Sequence, residues 1–272
     1  MPLIVSKNLL KNLKFSDLYM RMISAIIMII VASLCISLGN FSYSLLLLFL
    51  SAVIFYETNI LLGSGERILN VIFLIVSVII CFGAFLFYDF VWEYVLLIIP
   101  VIVLSFYSVT NKTLSFFTGI IVISALMTYF ELKVHFGNYV IFWLISCVAA
   151  SDMAGYFFGR LIGGPKIWIL ISPNKTWSGT IAGWVAASFV GFIFMIGNSL
   201  NLQIVLLSFI VAIFAQAGDF YESWLKRRVD KKDSSKLIPG HGGFLDRFDG
   251  LIGGAIAVKL YLFFTGSLVL VF

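Results

Sequence analysis

Long apolar runs separated by short polar breaks recur from Met20 to the end of the chain, and each approaches the roughly 20 residues that carry an α-helix across a bilayer. The pattern predicts about nine spans, near residues 20 to 39, 42 to 62, 69 to 88, 90 to 108, 113 to 134, 138 to 160, 179 to 197, 203 to 221 and 250 to 271. The fourth contains Glu93 and Pro100, and proline is tolerated in membrane helices. The expected fold is all-α, a polytopic transmembrane helical bundle in which two polar cytoplasmic loops form the site. The expected division is a basic cytoplasmic segment at 1–19 and one transmembrane catalytic domain at 20–272, with N-terminal spans over 20–134 and a catalytic half over 138–272.

Lysine and arginine orient the bundle, because short cytoplasmic loops are enriched in them. Lys7, Lys11, Lys14 and Arg21 precede or open the first span, Arg67, Lys112, Lys166 and Lys175 fall in alternate loops, and the segment 222–249 carries a further basic cluster. Lys133, beside Glu131, is the main exception. The N-terminus and both long polar loops are therefore expected on the cytoplasmic side, and an odd number of spans places Phe272 outside.

Composition agrees: 61% of residues are hydrophobic and 11% charged, with a mean hydropathy of +1.09, against about a quarter charged in soluble domains. Cys35, Cys81 and Cys147 lie inside apolar runs without metal-binding or redox spacing, so they read as packed or lipid-facing thiols. The net charge of +5 includes no long basic tract interleaved with aromatics, which argues against nucleic acid as a partner.

Ionisable residues at membrane depth are costly and therefore suggest function. Asp152 lies in CVAASDMAGYFFGR, and Asp219 in FAQAGDFYESWLKRR. Glu222 follows Asp219 three residues later, on the same helical face. The densest polar stretch is residues 222–250. It combines Lys226, Arg227, Arg228, Lys231, Lys232 and Lys236 with a Pro239-Gly240-His241-Gly242-Gly243 turn, and places Asp246 three residues before Asp249. Cations hold polyphosphate, glycines admit backbone N–H groups to phosphate oxygens, and paired carboxylates suit a hard ion such as Mg²⁺. Together they describe phosphoryl or nucleotidyl transfer, whereas the basic run alone would be a positive-inside anchor. His241 reads equally as catalyst, phosphate contact or turn residue. The second polar loop, GGPKIWILISPNKTWSGT, offers Gly163, Gly164, Lys166, Lys175 and Thr176 to phosphate and Ser178 as a cap for the next helix. A Walker A reading fails because Pro165 intervenes and no Ser or Thr follows Lys166. Zinc-protease and serine-hydrolase motifs are missing from the sequence.

The stretch from Ser223 through Lys232, Asp233 and Ile238-Pro-Gly-His-Gly-Gly-Phe-Leu-Asp-Arg-Phe-Asp249 resembles the C-terminal signature of the phosphatidate cytidylyltransferase (CDP-diacylglycerol synthase) family. Asp152-Met-Ala-Gly-Tyr with Gly159-Arg160, Ser172-Pro-Asn-Lys-Thr-Trp, and Gly218-Asp219 with Glu222 stand in that family's order. One departure is Ser178, where many members carry Glu, so no carboxylate role is carried over to that position. The resemblance covers residues 150 to 260; upstream, only the hydrophobicity matches.

The resemblance implies a bacterial inner-membrane enzyme that joins CTP to phosphatidic acid, gives CDP-diacylglycerol and pyrophosphate, and uses Mg²⁺, with a second ion and a homodimer as further expectations. Asp219, Asp246 and Asp249 are then expected to hold metal, with Glu222 as a fourth carboxylate. Lys226, Arg227 and Lys175 are expected to clamp phosphates, and His241 to bind or orient. Substrate contacts are expected from Ser151, Asp152, Asn174, Thr176, Ser223, Lys232, Asp233, Gly242, Gly243 and Arg247. The competing readings are a membrane nucleotidyl or phosphoryl transferase acting on an isoprenoid or ether lipid, and a transporter using Asp152 and Asp219. The bunching of carboxylates at one face argues against the transporter. Gly179, Gly183 and Ala186 or Ala187 in the seventh span predict close helix packing.

Overall fold

The computed structural model describes residues 22–62, 72, 75, 99–106, 108, 111–198, 201–238 and 242–266. The apolar runs are helices: α1 (Met22–Ser37), α2 (Asn40–Leu62), α3 (Lys112–Phe136), α4 (Asn138–Ile162), α5 (Trp177–Asn198), α6 (Gln203–Arg228) and α7 (Leu245–Thr265). Residues 99–106 are also helical. Among the described residues, α2 to α7 are the six helices long and apolar enough to cross a membrane, and α1 is shorter. The chain is an integral membrane protein. The expected span near 69 to 88 falls almost wholly outside the described residues, as does the first half of the one near 90 to 108; Cys81 and the basic segment at 1–19 lie outside them altogether.

Two expected boundaries move, both toward the polar end. The helix expected at 203 to 221 continues to Arg228, and the one expected at 250 starts at Leu245. Hydrophobicity marks where lipid begins, but a helix continues while its backbone bonds and side-chain partners allow. As a result Glu222, Lys226, Asp246 and Asp249 stand on helices rather than in a loop, and Asp219 lies within its helix as expected.

The expected all-α class also needs one amendment. The loop between α4 and α5 contains an antiparallel hairpin of β1 (Lys166–Trp168) and β2 (Ser172–Thr176), pairing Lys166 with Thr176 and Trp168 with Ser172. The β-branched Ile167 suits the extended backbone of β1. Pro165 has no N–H to continue a helix. Thr176, not Ser178, caps α5: its Oγ1 accepts from Gly179 N at 3.3 Å. The helix begins two residues earlier than a Ser178 cap requires, and Ser178 donates back to Gly163 O.

The helices pack in the order α4, α5, α6, α7, α3, α2, and α4 also touches α6, α7 and α3. Lipid tails are as apolar as the side chains, so close approach and internal hydrogen bonds hold such helices together. Tyr43 OH donates to Tyr129 O and Tyr129 OH to Leu251 O, each at 3.2 Å, tying α2 to α3 and α3 to α7. The fully buried Trp143 donates to Ser208 Oγ at 2.9 Å. The small residues expected to allow close packing do so within the chain. A Cβ on Gly179 would lie 2.5 Å from Gly155 O, and one on Gly183 would lie 2.6 Å from Gln216 Nε2. Gly218 and Gly253 similarly leave no room where α6 crosses α7. The outer face of α5, including Ile181, Val185, Phe189 and Ile193, is exposed to lipid.

Gly179→Ala should lower the unfolding midpoint in detergent by the equivalent of about 1–3 kcal/mol, the usual cost of overpacking. Gly197→Ala on the same helix, where a Cβ meets nothing within 4 Å, should leave it unchanged. Equal midpoints for the two variants would show that the α4–α5 contact is not tight.

Candidate active site

A polar chamber of about 770 Å³ opens at the end of the bundle that carries the hairpin. α4 contributes Ser151, Asp152 and Arg160, the hairpin contributes Lys166, Asn174, Lys175 and Thr176, α5 contributes Thr180, and α6 contributes Gln216 and Asp219. The glycines of the α4–α5 contact, Gly155, Gly159 and Gly179, form its apolar-side wall. Asp219 is ion-paired with Lys175, whose ammonium also lies 4.3 Å from the Phe220 ring centroid. Ser223 Oγ donates to Asp219 Oδ1 at 3.4 Å. The Gln216 amide is fixed by 3.3 Å bonds from Nε2 to Ser151 Oγ and Thr180 O.

Asp249 stands beside this chamber on α7. The glycine crossing of α6 and α7 brings it within electrostatic reach of Asp219, Asp152 and Lys175, and Asp152 also senses Arg247. Three carboxylates thus converge with one lysine and one arginine in a region that lipid cannot solvate. Like charges within electrostatic reach of one another repel, and a cation among them would relieve that repulsion.

The other two expected metal ligands lie elsewhere. Lys226 reaches from α6 to Asp246 at 2.6 Å and also pairs with Glu222 one turn back. Asp246 further accepts from Ser234 N at 2.9 Å, Ser234 Oγ at 2.9 Å and Gly243 N at 2.8 Å. Its lone pairs are committed to protein donors at the start of a helix, where the helix dipole favours a negative charge. Among the described residues no three His, Cys, Asp or Glu side chains are gathered closely enough to enclose a metal. The expected quartet therefore divides: Asp219 lines the chamber, Asp249 and Glu222 line a smaller, mostly apolar cavity between α3, α6 and α7, and Asp246 is held by Lys226, Ser234 and Gly243.

Glu57, on α2, is the residue that sequence reasoning missed. It has no exposure and accepts from Ser234 Oγ at 3.1 Å, Ser235 Oγ at 2.6 Å, Phe244 N at 2.9 Å and Leu245 N at 2.6 Å. It caps α7 from another helix and holds Ser234 and Ser235 across the bundle end. Lys231 Nζ adds a 3.0 Å bond to Ile60 O. The signal was present, since Glu57 interrupts an apolar span just as Asp152 and Asp219 do.

The remaining expected residues are placed as follows. Arg227 donates from Nε to Ile171 O and from Nη1 to Lys231 O, each at 3.4 Å, and so ties the hairpin to α6 rather than facing the chamber. Lys232 and Asp233 are exposed on the connecting segment, as is Arg247 on α7. Gly242 is in the left-handed region at φ 86°, where its carbonyl accepts from Ile238 N at 2.8 Å and closes the turn. Gly243 leaves no room for a side chain against Ser234 and Glu57. His241, with Pro239 and Gly240, lies outside the described residues.

A model of the cytidylyltransferase family matches residues 19–265. The chain belongs to the cytidylyltransferase family. It is 45% identical over 130 residues to a phosphatidate cytidylyltransferase of Brucella suis biovar 1, strain 1330, covering 47% of each chain. It is 44% identical over 131 residues to one of Helicobacter pylori strain J99, covering 47% of this chain and 49% of the relative. It is 42% identical over 119 residues to one of Staphylococcus haemolyticus, covering 43% and 46%. The chain spans about half the length of the curated relatives it matches. Membership in this cytidylyltransferase family agrees with a polar, cation-lined chamber at one end of an apolar bundle.

Glu57→Ala should strand several buried donors at about 1–3 kcal/mol each. It should lower the unfolding midpoint and open Lys231, Lys232 and Lys236 to trypsin, whereas Glu57→Gln, which keeps one acceptor oxygen, should do so less. Wild-type protease resistance in Glu57→Ala would show that the segment is held by something else.

Proposed function

We propose that the protein transfers the cytidylyl group of CTP to phosphatidic acid, giving CDP-diacylglycerol and pyrophosphate. The observation that carries this reading is the chamber itself, where Arg160, Lys166 and Lys175 face Asp152 and Asp219 at the end of a lipid-exposed bundle. The relatives named phosphatidate cytidylyltransferase support it. The concentration of Lys and Arg at this end supports a cytoplasmic orientation, in which CTP comes from the cytoplasm and the phosphatidate headgroup from the adjoining leaflet.

A phosphatidate oxygen attacks the α-phosphorus of CTP in line; the bond from that phosphorus to the bridging oxygen breaks, and pyrophosphate leaves with that oxygen. Both reactants are anions, so positioning and charge neutralisation supply most of the acceleration. Lys166 and Lys175, with Arg160, neutralise phosphate oxygens, while Ser151, Thr180 and Gln216 give the chamber its neutral polar lining. Phosphatidate is ionised near neutral pH and needs no strong general base. Asp219 and Asp249, with Asp152, are the residues that would hold Mg²⁺, which supplies neutralisation of the triphosphate. Lys175, now paired with Asp219, is placed to take phosphate once that carboxylate has another partner. Asp246, bonded to Lys226, Ser234 and Gly243, positions the segment, and Glu222 pairs with the same lysine.

The test is conversion of phosphatidic acid and labelled CTP into lipid-soluble label by purified protein, with Mg²⁺ or EDTA. Asp219→Asn should lose activity by about 100-fold or more, the scale of removing one electrostatic group from a transition state, while keeping the wild-type unfolding midpoint. Asp246→Asn should lose activity and stability together. Folded wild type that labels no lipid with Mg²⁺ present would sink the cytidylyl reading.

A further inference from the structure

The hairpin has two unlike surfaces. Lys166, Asn174, Lys175 and Thr176 line the chamber. Its turn is apolar and faces outward, with Trp168, Ile169 and Leu170 at 55, 66 and 83% exposure. The next residue, Ile171, is buried, and its carbonyl accepts from Arg227 at the end of α6. Leu161 and Ile162, at the end of α4, are exposed beside the same loop.

The depth of this turn follows from what it joins. α4 ends at Ile162 and α5 begins at Trp177, and both are candidate spans. The hairpin cannot stray far from the ends of those helices, and Arg227 ties it to the end of a third. It therefore lies at the boundary between the apolar bundle and water. Its charge has one sign, because no Asp or Glu occurs between Asp152 and Asp219 while Arg160, Lys166 and Lys175 do. An exposed Trp-Ile-Leu turn flanked by cations at this depth has the chemistry of an anionic lipid interface, since indole prefers the headgroup level and each nearby cation adds attraction to anionic lipid.

We propose that the Trp168-Ile169-Leu170 turn is an interfacial anchor that inserts into the leaflet on the chamber's side and binds an anionic lipid surface. It holds one wall of the chamber at headgroup depth, so that a lipid phosphate leaving the leaflet meets Lys166 and Lys175 without crossing water. The anchor stands on the geometry of the turn, and its kinetic consequence rests on the lipid-phosphate reading above.

The test uses the full chain with Cys35, Cys81 and Cys147 replaced by Ala, a spin label at Leu170→Cys, and nanodiscs of phosphatidylcholine with or without phosphatidylglycerol. The label should be more accessible to oxygen than to a water-soluble nickel chelate, increasingly so with phosphatidylglycerol. A label at Lys236→Cys, on an exposed part of the polar segment, gives the aqueous reference. A 170 label as open to nickel as the 236 label overturns the anchor. Shielding from both probes also overturns it, because that marks a protein partner or a second copy. In the kinetic arm, Trp168→Ser/Ile169→Ser/Leu170→Ser should raise KM for phosphatidate in bilayers about fivefold, the scale of losing part of an interfacial apolar face. Turnover of a short-chain lipid phosphate in detergent should be unchanged; Leu170→Ser replaces the triple variant if that does not fold. An equal loss in both presentations overturns the anchoring role. If wild type labels no lipid at all, the reaction assignment fails while the spin labels still decide the anchor.

Discussion

Glu57 is buried completely in an apolar helix, and the donors that answer it lie 177 to 188 residues further along the chain. A carboxylate in that position cannot be left to lipid, because the unsolvated charge costs far more than the helix gains by packing. Among the described residues, Ser234, Ser235 and the first N–H groups of α7 satisfy it. One interaction therefore fixes where the longest polar segment folds and where α7 begins, and the start of α7 sets the positions of Asp246 and Asp249.

The same constraint sorts the other carboxylates into two kinds. Asp246 is answered inside the protein by Lys226, Ser234 and Gly243 and so acts as a joint, while Glu222 is ion-paired with Lys226 but its buried oxygens have no further hydrogen-bond partner among the described residues. Breaking such a buried pair is costly because it strands a charge, even where the intact pair adds little net stability. Asp152, Asp219 and Asp249 are answered less completely, since Lys175 and Arg247 provide positive charge to three negative groups. Two of these three, Asp152 and Asp219, line a chamber wide enough for ligands. A protein that neutralises some acids internally and leaves others against a cavity has separated holding from chemistry.

The bundle geometry makes this separation possible. Glycines at the α4–α5 and α6–α7 crossings allow backbones to approach, which places α4, α5, α6 and the hairpin around one chamber. The hairpin then serves two media, with cations toward the chamber and an apolar turn toward the surroundings.

The apolar runs determined the membrane class and the places of the described helices, because a run of spanning length has few stable alternatives in a bilayer. The signature from Ser223 to Asp249 determined the family, and the costliness of charge at membrane depth pointed to Asp152 and Asp219. The tertiary structure decided the division of labour among the acids. Asp246 and Asp249 are three residues apart and look like one pair in sequence, yet Lys226, Ser234 and Gly243 claim the first while Asp219 and Asp152 neighbour the second. It also decided the role of Glu57, whose partners are set by long-range packing that no local spacing records. The hairpin was hidden for a related reason: three- and five-residue strands have too little periodicity to read, and their pairing depends on two helices bringing their ends together.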